Sequence, residues 1–256
     1  MVFFNPTDSS VQLAGKAIIV PVVSTANVSQ LAADLLIASL SLGRIGIFDS
    51  AFLVPVVGSC EDGVGVSTPL ELYGKAGLDI VVVQQRSPAL KSQKQQFINT
   101  LLEFTQTSGL LLLIILVDEM LNVADIEHQR IKFAQSMAHL CHPHRWPVSP
   151  NYPSQSTPRR YPSTPFKTPD EAEPDVPFIP GGSLTRRILQ TLSKSPSSVP
   201  TAAVLQFVLE GDNRADAALL ASVIVAVFGL SISGFKEPRS WKQGLFGAPP
   251  DQTLYG

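Results

Sequence analysis

Cysteine, histidine and clustered positive charge are scarce in this sequence. Only two cysteines occur, Cys60 and Cys141, and they lie far apart. So few thiols exclude a disulfide framework, and we expect both to be free in a reducing compartment. The 19 Lys and Arg residues are scattered and the net charge is -2, so no basic surface for nucleic acid is indicated. The composition predicts no nucleic-acid partner.

The sequence also lacks an apolar segment typical of a membrane span. Residues 109–117, GLLLLIILV, are too short to cross a bilayer as a helix. Residues 217–233 are longer, but alanine and serine dilute them, which favours a buried helix. The N-terminal MVFFNPTDSS has neither a basic start nor a sustained apolar region. We therefore expect no membrane partner. A cytoplasmic location is also expected, and the family resemblance given below adds the nucleus as a second compartment.

The first part of the chain alternates continuous apolar runs with amphipathic stretches. Strands are predicted at residues 16–23, 78–87 and 110–117, with one or two more, broken near Asp49, in residues 44–58. Helices are predicted in residues 27–43, ended by Gly43, and 92–109, ended by Ser108 and Gly109. This alternation predicts an α/β fold, with a central sheet covered by helices on both faces.

Proline marks a change in the second half of the chain. About half of the 21 prolines fall between residues 142 and 180, in a stretch poor in apolar residues. We expect residues 143–177 to be a flexible insertion within one domain, residues 1–247, and residues 248–256 to be a tail. Trp241 and Phe246 are expected to anchor the root of that tail.

Three helices are predicted after the insertion. Ser183 is placed to cap the first, and the second spans residues 201–211, ended by Gly211. Asp212 or Asn213 is expected to cap the third.

Possible catalytic and metal-binding groups are few. A cluster in residues 139–144, HLCHPH, could supply metal ligands, but no second Cys or His pair exists to complete a zinc site. Glu210, Asp212 and Asp216 lie close in sequence, where carboxylates also serve helix ends. The GVGV at Gly63 and the GK at Lys16 each lack part of a nucleotide-binding motif. The residues predict no catalytic group, no metal and no cofactor.

Several blocks of the sequence resemble the PAC2-type proteasome assembly chaperone family. The first is residues 15–58, with its QLA-DLLI helix and LVP-VVG segment, and the others are IPGGSLTRRIL, VLQFVLEGDNRADA and SWKQGLFG, in the family's order. The resemblance implies a non-enzymatic subunit with a fold like that of nucleoside phosphorylases. It also implies a heterodimer with proteasome assembly chaperone 1. That heterodimer would bind the outer face of the α-subunit ring during assembly, prevent off-pathway ring association and block early activator docking.

The last residues, Leu254, Tyr255 and Gly256, match a tail that some family members and many proteasome activators carry: a hydrophobic residue, a tyrosine and a final residue. Tyrosine offers apolar surface with a hydroxyl, and a terminal carboxylate can pair with a lysine. The resemblance therefore implies that these residues insert in a pocket between two α subunits. Pro249 and Pro250 would stiffen the approach.

Three alternatives stay open at the level of sequence. The tail could pack on its own domain instead of on a partner. The chain could be a phosphorylase-like enzyme whose loop at Gly181 binds phosphate near a helix start. It could also be a scaffold that acts through extended segments of the proline-rich insertion.

Overall fold

A computed structural model describes residues 2–8, 10–61, 63, 65–120, 183–194, 198–209 and 211–243. The predicted insertion at residues 143–177 and the tail at 248–256 lie outside this described part. Within it, a seven-stranded sheet has the order β1-β3-β6-β7-β2-β8-β9, and a separate two-stranded hairpin consists of β4 and β5. The strands are β1 Phe4–Pro6, β2 Ala17–Pro21, β3 Gly43–Phe48, β4 Gly58–Ser59, β5 Val66–Ser67, β6 Leu70–Gly74, β7 Ile80–Gln85, β8 Leu112–Met120 and β9 Thr201–Val208.

The described helices pack on the two faces of the sheet. They are α1 Val28–Leu40, α2 Lys94–Thr107, α3 Ser183–Lys194 and α4 Arg214–Val227, followed by a 3₁₀ helix, Arg239–Gln243. Neighbouring residues of one strand belong to different cores, since Ile18 packs in the cluster with α2 and α3, whereas Ile19 packs in the cluster with α1 and α4. This alternation follows from the two-residue period of a strand. The predicted α/β architecture, with helices on both faces, is confirmed.

The sheet has two halves with different strand directions. Strands β7, β2, β8 and β9 are parallel to one another. Strands β1, β3 and β6 continue the sheet in antiparallel pairs, ending on β7. Parallel strands need helical crossovers and are buried on both faces, which is why β2 and β7 are buried at every position.

An aromatic cluster closes the antiparallel half on the α2 side. The rings of Phe4 and Phe48 lie 5.0 Å apart between centroids, and each lies 5.0 Å from the ring of Phe104 on α2. Gly46 sits beneath this cluster, where an added Cβ would lie 2.3 Å from the Phe4 ring. A larger residue at this position would displace the ring.

Several predicted elements are confirmed, and two need correction. The strands at β2, β7 and β8 and the helices α1 and α2 are present, and β3 ends just before Asp49. Helix α1 ends earlier than expected: Ser41, with φ of 52°, takes the left-handed position, and Gly43 already begins β3. The helix predicted at residues 201–211 is wrong, because this segment forms strand β9, paired with β8 from Thr201 to Val208.

The predicted caps differ in detail from the observed ends. Ser183 is the first residue of α3 and not the residue before it. Asn213 precedes α4, but its side-chain amide donates to the Ala26 carbonyl, 3.1 Å away, instead of capping the helix. Asn213 thereby ties the start of α4 to the loop that leads into α1.

Candidate interaction surface

The predicted site residues Leu254, Tyr255 and Gly256 lie outside the described residues, but the segment that leads to them is described. This tail root is the 3₁₀ helix Arg239–Gln243. Trp241 is 5% exposed and packs in the core shared by α1 and α4, so the predicted anchor at this tryptophan is confirmed. Phe246, the second predicted anchor, is outside the described part.

The tail root is attached to two other elements. The Ser240 amide donates to Glu61 Oε2 at 3.0 Å, and the Ser240 hydroxyl donates to Glu61 Oε1 at 2.6 Å. Upstream, the Lys236 amide donates to the Ser39 hydroxyl at the end of α1, at 2.8 Å. The chain therefore reaches Gln243 along α1 and beside the turn that joins β4 to β5.

That turn belongs to a segment with several exposed valines, which we name the valine hairpin; its described residues are 54–61, 63 and 65–67. It consists of a loop that follows Leu53 and the β4–β5 pair, with Gly58 opposite Ser67 and Ser59 opposite Val66. Four of its valines are exposed, by 38% to 73% of their surface: Val54, Val56, Val57 and Val66. Residues 44–58 are predicted from the sequence as one or two strands, so the exposure of Val54, Val56 and Val57 was not predicted.

Polar contacts hold the valine hairpin at both ends. The Ser87 hydroxyl donates to the Val54 carbonyl at 2.7 Å, and the Val54 amide donates to the Pro88 carbonyl at 3.0 Å. Near the other end, Arg44 Nη1 donates to the Val66 carbonyl at 2.8 Å. Since Arg44 lies near the start of β3, the hairpin runs along the antiparallel half of the sheet.

A buried carboxylate fixes Arg44 beneath the hairpin. Glu71 on β6 is fully buried and accepts from Arg44 at 2.8 Å, from the Thr68 amide at 3.0 Å and from the Tyr73 hydroxyl at 2.8 Å. Burial, and then the neighbouring Glu71 charge, raise the pKa of Tyr73. Tyr73 therefore stays protonated and donates to Glu71. These contacts stabilise the surface from below and leave its outer side apolar.

The carboxyl edge of the parallel strands is the place where open α/β sheets commonly bind ligands. In this chain the edge holds Asp118, 2% exposed, at the end of β8. Its carboxylate accepts from the hydroxyls of Ser24 and Ser29 and from the Ser29 amide, the last at 2.7 Å. Ser29 is in the first turn of α1, where helix N–H groups attract anions. The chain thus fills this anion position with its own carboxylate.

A second buried carboxylate, on α1, is paired with residues at the end of β7. Asp34 on α1 accepts from Arg86 at 2.9 Å and from the Gln84 amide at 2.5 Å. Burial raises the pKa of the Asp34 carboxyl, and the Arg86 charge and the Gln84 hydrogen bond partly offset that rise. The geometry is that of an ion pair between α1 and the end of β7, with no open cleft between its members.

The other candidates from the sequence have structural contacts or lie outside the described residues. Asp212 pairs with Arg214, and Asp216 accepts from Gln206 at 3.2 Å, which confirms a role at the helix start. Lys16 donates to the Leu78 carbonyl. Glu210, Gly181 and the His and Cys cluster at residues 139–144 are not described. Among the residues that are, no group of three or more His, Cys, Asp or Glu could hold a metal ion.

In the described part of the chain, no helix combines the length and the apolar character that a bilayer span requires.

Solved structures share this architecture. An archaeal homologue of proteasome-assembly chaperone from Pyrococcus furiosus has a TM-score of 0.58 and 14% identity, over 91% of this chain and 84% of that one. An archaeal proteasome activator from the same organism has a TM-score of 0.53 and 14% identity, over 91% and 92% of the two chains. At these identities the likeness shows the fold. The protein is of the α/β class that these two structures represent.

Sequence comparison gives the family. The PAC2 family model matches residues 18–133. Proteasome assembly chaperone 2 of Homo sapiens is 30% identical over 97% of this chain and 98% of its own length. Proteasome assembly chaperone 2 of Danio rerio is 28% identical, with the same coverage of both chains. The chain belongs to the PAC2 family of proteasome assembly chaperones.

Proposed function

We propose that this chain is a non-enzymatic subunit that pairs with proteasome assembly chaperone 1 and binds the outer face of the proteasome α-subunit ring while the ring is being built. The observation that carries this proposal is the similarity to proteasome assembly chaperone 2, which extends over 97% of the chain. The bound heterodimer prevents off-pathway ring association and premature docking of activators. It acts in the cytoplasm and also in the nucleus.

The C-terminal tripeptide is the proposed contact with the ring. Leu254 fills an apolar pocket between two α subunits, the Tyr255 ring packs beside it, and the Gly256 carboxylate pairs with a lysine. Trp241 and the Glu61–Ser240 hydrogen bonds fix the point from which the tail leaves the body. A fixed root supports this role because it keeps a weak tripeptide at high effective concentration near its pocket.

The filled carboxyl edge supports a non-enzymatic role. We propose that the topology is that of the nucleoside-phosphorylase-like fold, whose ligands would bind near the ends of the parallel strands. Asp118 occupies the start of α1 there and satisfies the Ser29 amide. A phosphate at this position would meet a buried carboxylate of the same sign of charge.

Purified heterodimer and α-ring subunits test the proposal. We expect the wild-type heterodimer to bind the ring in biolayer interferometry. Deletion of Leu254–Gly256, Tyr255→Ala, or two residues added after Gly256 should each weaken binding about tenfold or more and leave the heterodimer intact. Thr253→Ala is the matched control.

Two results would contradict this function. One is a wild-type heterodimer that fails to bind the ring. The other is saturable binding of a purine nucleoside together with phosphate in calorimetric titration, which would favour a phosphorylase-like enzyme. Unchanged ring affinity in all three tail variants would remove the tail from the proposal.

A further inference from the structure

Among the described residues, the valine hairpin carries the largest group of exposed apolar side chains. Nine large ones are exposed, and four of them lie on the valine hairpin, including Val57 at 73% and Val66 at 56%. Single exposed apolar residues are ordinary, but a group of them marks an interaction surface. The remaining five are dispersed over other elements: Val2, Leu111, Leu209, Leu219 and Val227.

This surface is held in position by its backbone and not by its valines. The carbonyls of Val54 and Val66 accept from Ser87 and Arg44, and Glu61 is bound by Ser240. Arg44 is itself fixed by the fully buried Glu71. The valine side chains are therefore presented outward by a segment whose backbone is hydrogen-bonded at Val54 and Val66.

The area of the valine hairpin limits what can bind there. Four partly exposed valines offer on the order of 300 Å², whereas a stable dimer interface buries roughly 800 Å² on each partner. The hairpin is therefore too small to be the whole interface with a permanently paired subunit. It fits an auxiliary contact that acts together with another attachment.

That other attachment begins at the same place. Ser240 of the tail root binds Glu61 of the hairpin, and residues 244–256 follow directly after Gln243. A segment of this length reaches at most roughly 45 Å when fully extended. A body that captures the last three residues is thereby held within roughly 45 Å of the tail root, which is itself hydrogen-bonded to Glu61 of the hairpin.

We propose that the valine hairpin is a second contact on the outer face of the α-subunit ring and packs on an apolar patch beside the pocket that receives the tail. This inference rests on the proposed function. Two weak contacts that share one root reinforce each other, since binding of the first raises the effective concentration of the second. The hairpin also gives the body an orientation on the ring that a tripeptide on a tether cannot give.

The test measures the affinity of the full-length heterodimer for the α ring by biolayer interferometry. The variant is the double substitution Val57→Ser and Val66→Ser, which keeps the hairpin backbone contacts. The control is Leu219→Ser and Val227→Ser, two exposed apolar residues of α4. Deletion of Leu254–Gly256 is measured in parallel, and size-exclusion chromatography measures the heterodimer.

We expect the hairpin variant to lose about tenfold in ring affinity, with an intact heterodimer and no change in the α4 control. If the hairpin variant binds like wild type while the tail deletion weakens binding, the inference is wrong and the proposed function stands. If the hairpin variant separates the heterodimer, the occupant is the paired chaperone and the inference is also wrong. If the wild-type heterodimer does not bind the ring, the proposed function fails, and the inference fails with it.

Discussion

The two halves of the sheet differ in the side chains that lie at their edges: buried, paired carboxylates on the parallel half and exposed valines on the antiparallel half. At the carboxyl edge of the parallel half, where many α/β proteins bind ligands, Asp118 and Asp34 are buried and paired with groups of the same chain. On the antiparallel half, the valine hairpin is held by backbone hydrogen bonds at Val54 and Val66 and exposes four valine side chains. The chain thus occupies the position where a small ligand would bind with its own carboxylates, and it exposes the valines that we propose contact a protein.

The largest expected effect is a loss of stability from a substitution at the carboxyl edge of the parallel strands. Asp118→Ala leaves the Ser29 amide and two hydroxyls without their acceptor, so we expect the free energy of unfolding to fall by about 3 kcal/mol. Urea denaturation measures it, and Asp8→Ala, at an exposed carboxylate that accepts from Ser10 nearby, should destabilise the fold much less. Equal stability of the two variants would mean that the edge is an open site and not a structural contact.

A matched pair of valines compares the two halves directly. Val82 on β7 is fully buried, whereas Val57 is 73% exposed. Val82→Ala should lower the free energy of unfolding by about 2 kcal/mol because it opens a cavity, and Val57→Ala should change it by less than about 0.5 kcal/mol. Urea denaturation measures both values. A similar loss of unfolding free energy in the two variants would show that the hairpin valines are part of the core.

The Asp34–Arg86 pair makes stability depend on pH. Burial raises the pKa of Asp34 above its ordinary value of 3.8, so the folded state holds this proton after the unfolded state has released it. The contribution of Asp34 to stability is therefore complete below pH 3.8 and is lost as pH rises through the raised pKa. Asp34→Asn should flatten this part of the stability profile in urea denaturation between pH 3 and pH 8. A profile identical to that of the wild type would contradict this account.

The smallest expected effect concerns the link between the valine hairpin and the tail root. Glu61→Ala removes the acceptor of two exposed hydrogen bonds from Ser240. The free energy of unfolding should therefore fall by about 0.5 kcal/mol. Hydrogen exchange at residues 239–243 should nevertheless become faster. Glu103→Ala, at an exposed residue of α2, is the control. Unchanged exchange at Ser240 would show that Trp241 alone fixes the root.

The sequence predicted the parallel half of the sheet well. Continuous apolar runs in β2, β7 and β8 are typical of strands buried on both faces, and the stripe of Phe97, Leu101, Leu102 and Phe104 is the buried side of α2. Strand β9 was predicted as a helix because its alanines and leucines suit both structures. Its pairing with β8, over Thr201 to Val208, decides between them.

The antiparallel half was harder to predict from sequence. Residues 52–57, FLVPVV, have the composition of a buried strand, yet Leu53 is buried and Val54, Val56 and Val57 are exposed. Pro55 and the following Gly58–Ser59 were the available signals of an interrupted strand. The partners of Asp118 could not be predicted from sequence either, because Ser29 lies 89 positions away from Asp118 in the chain.

Native mass spectrometry of complexes isolated from cells through a tag inserted in residues 143–177 tests the central claim most directly. The account predicts that the full-length chain is recovered with proteasome assembly chaperone 1 and with α subunits. It also predicts that deletion of Leu254–Gly256 removes most of the α subunits and retains the paired chaperone. Recovery of the wild-type chain as a monomer, or without α subunits, would contradict the account.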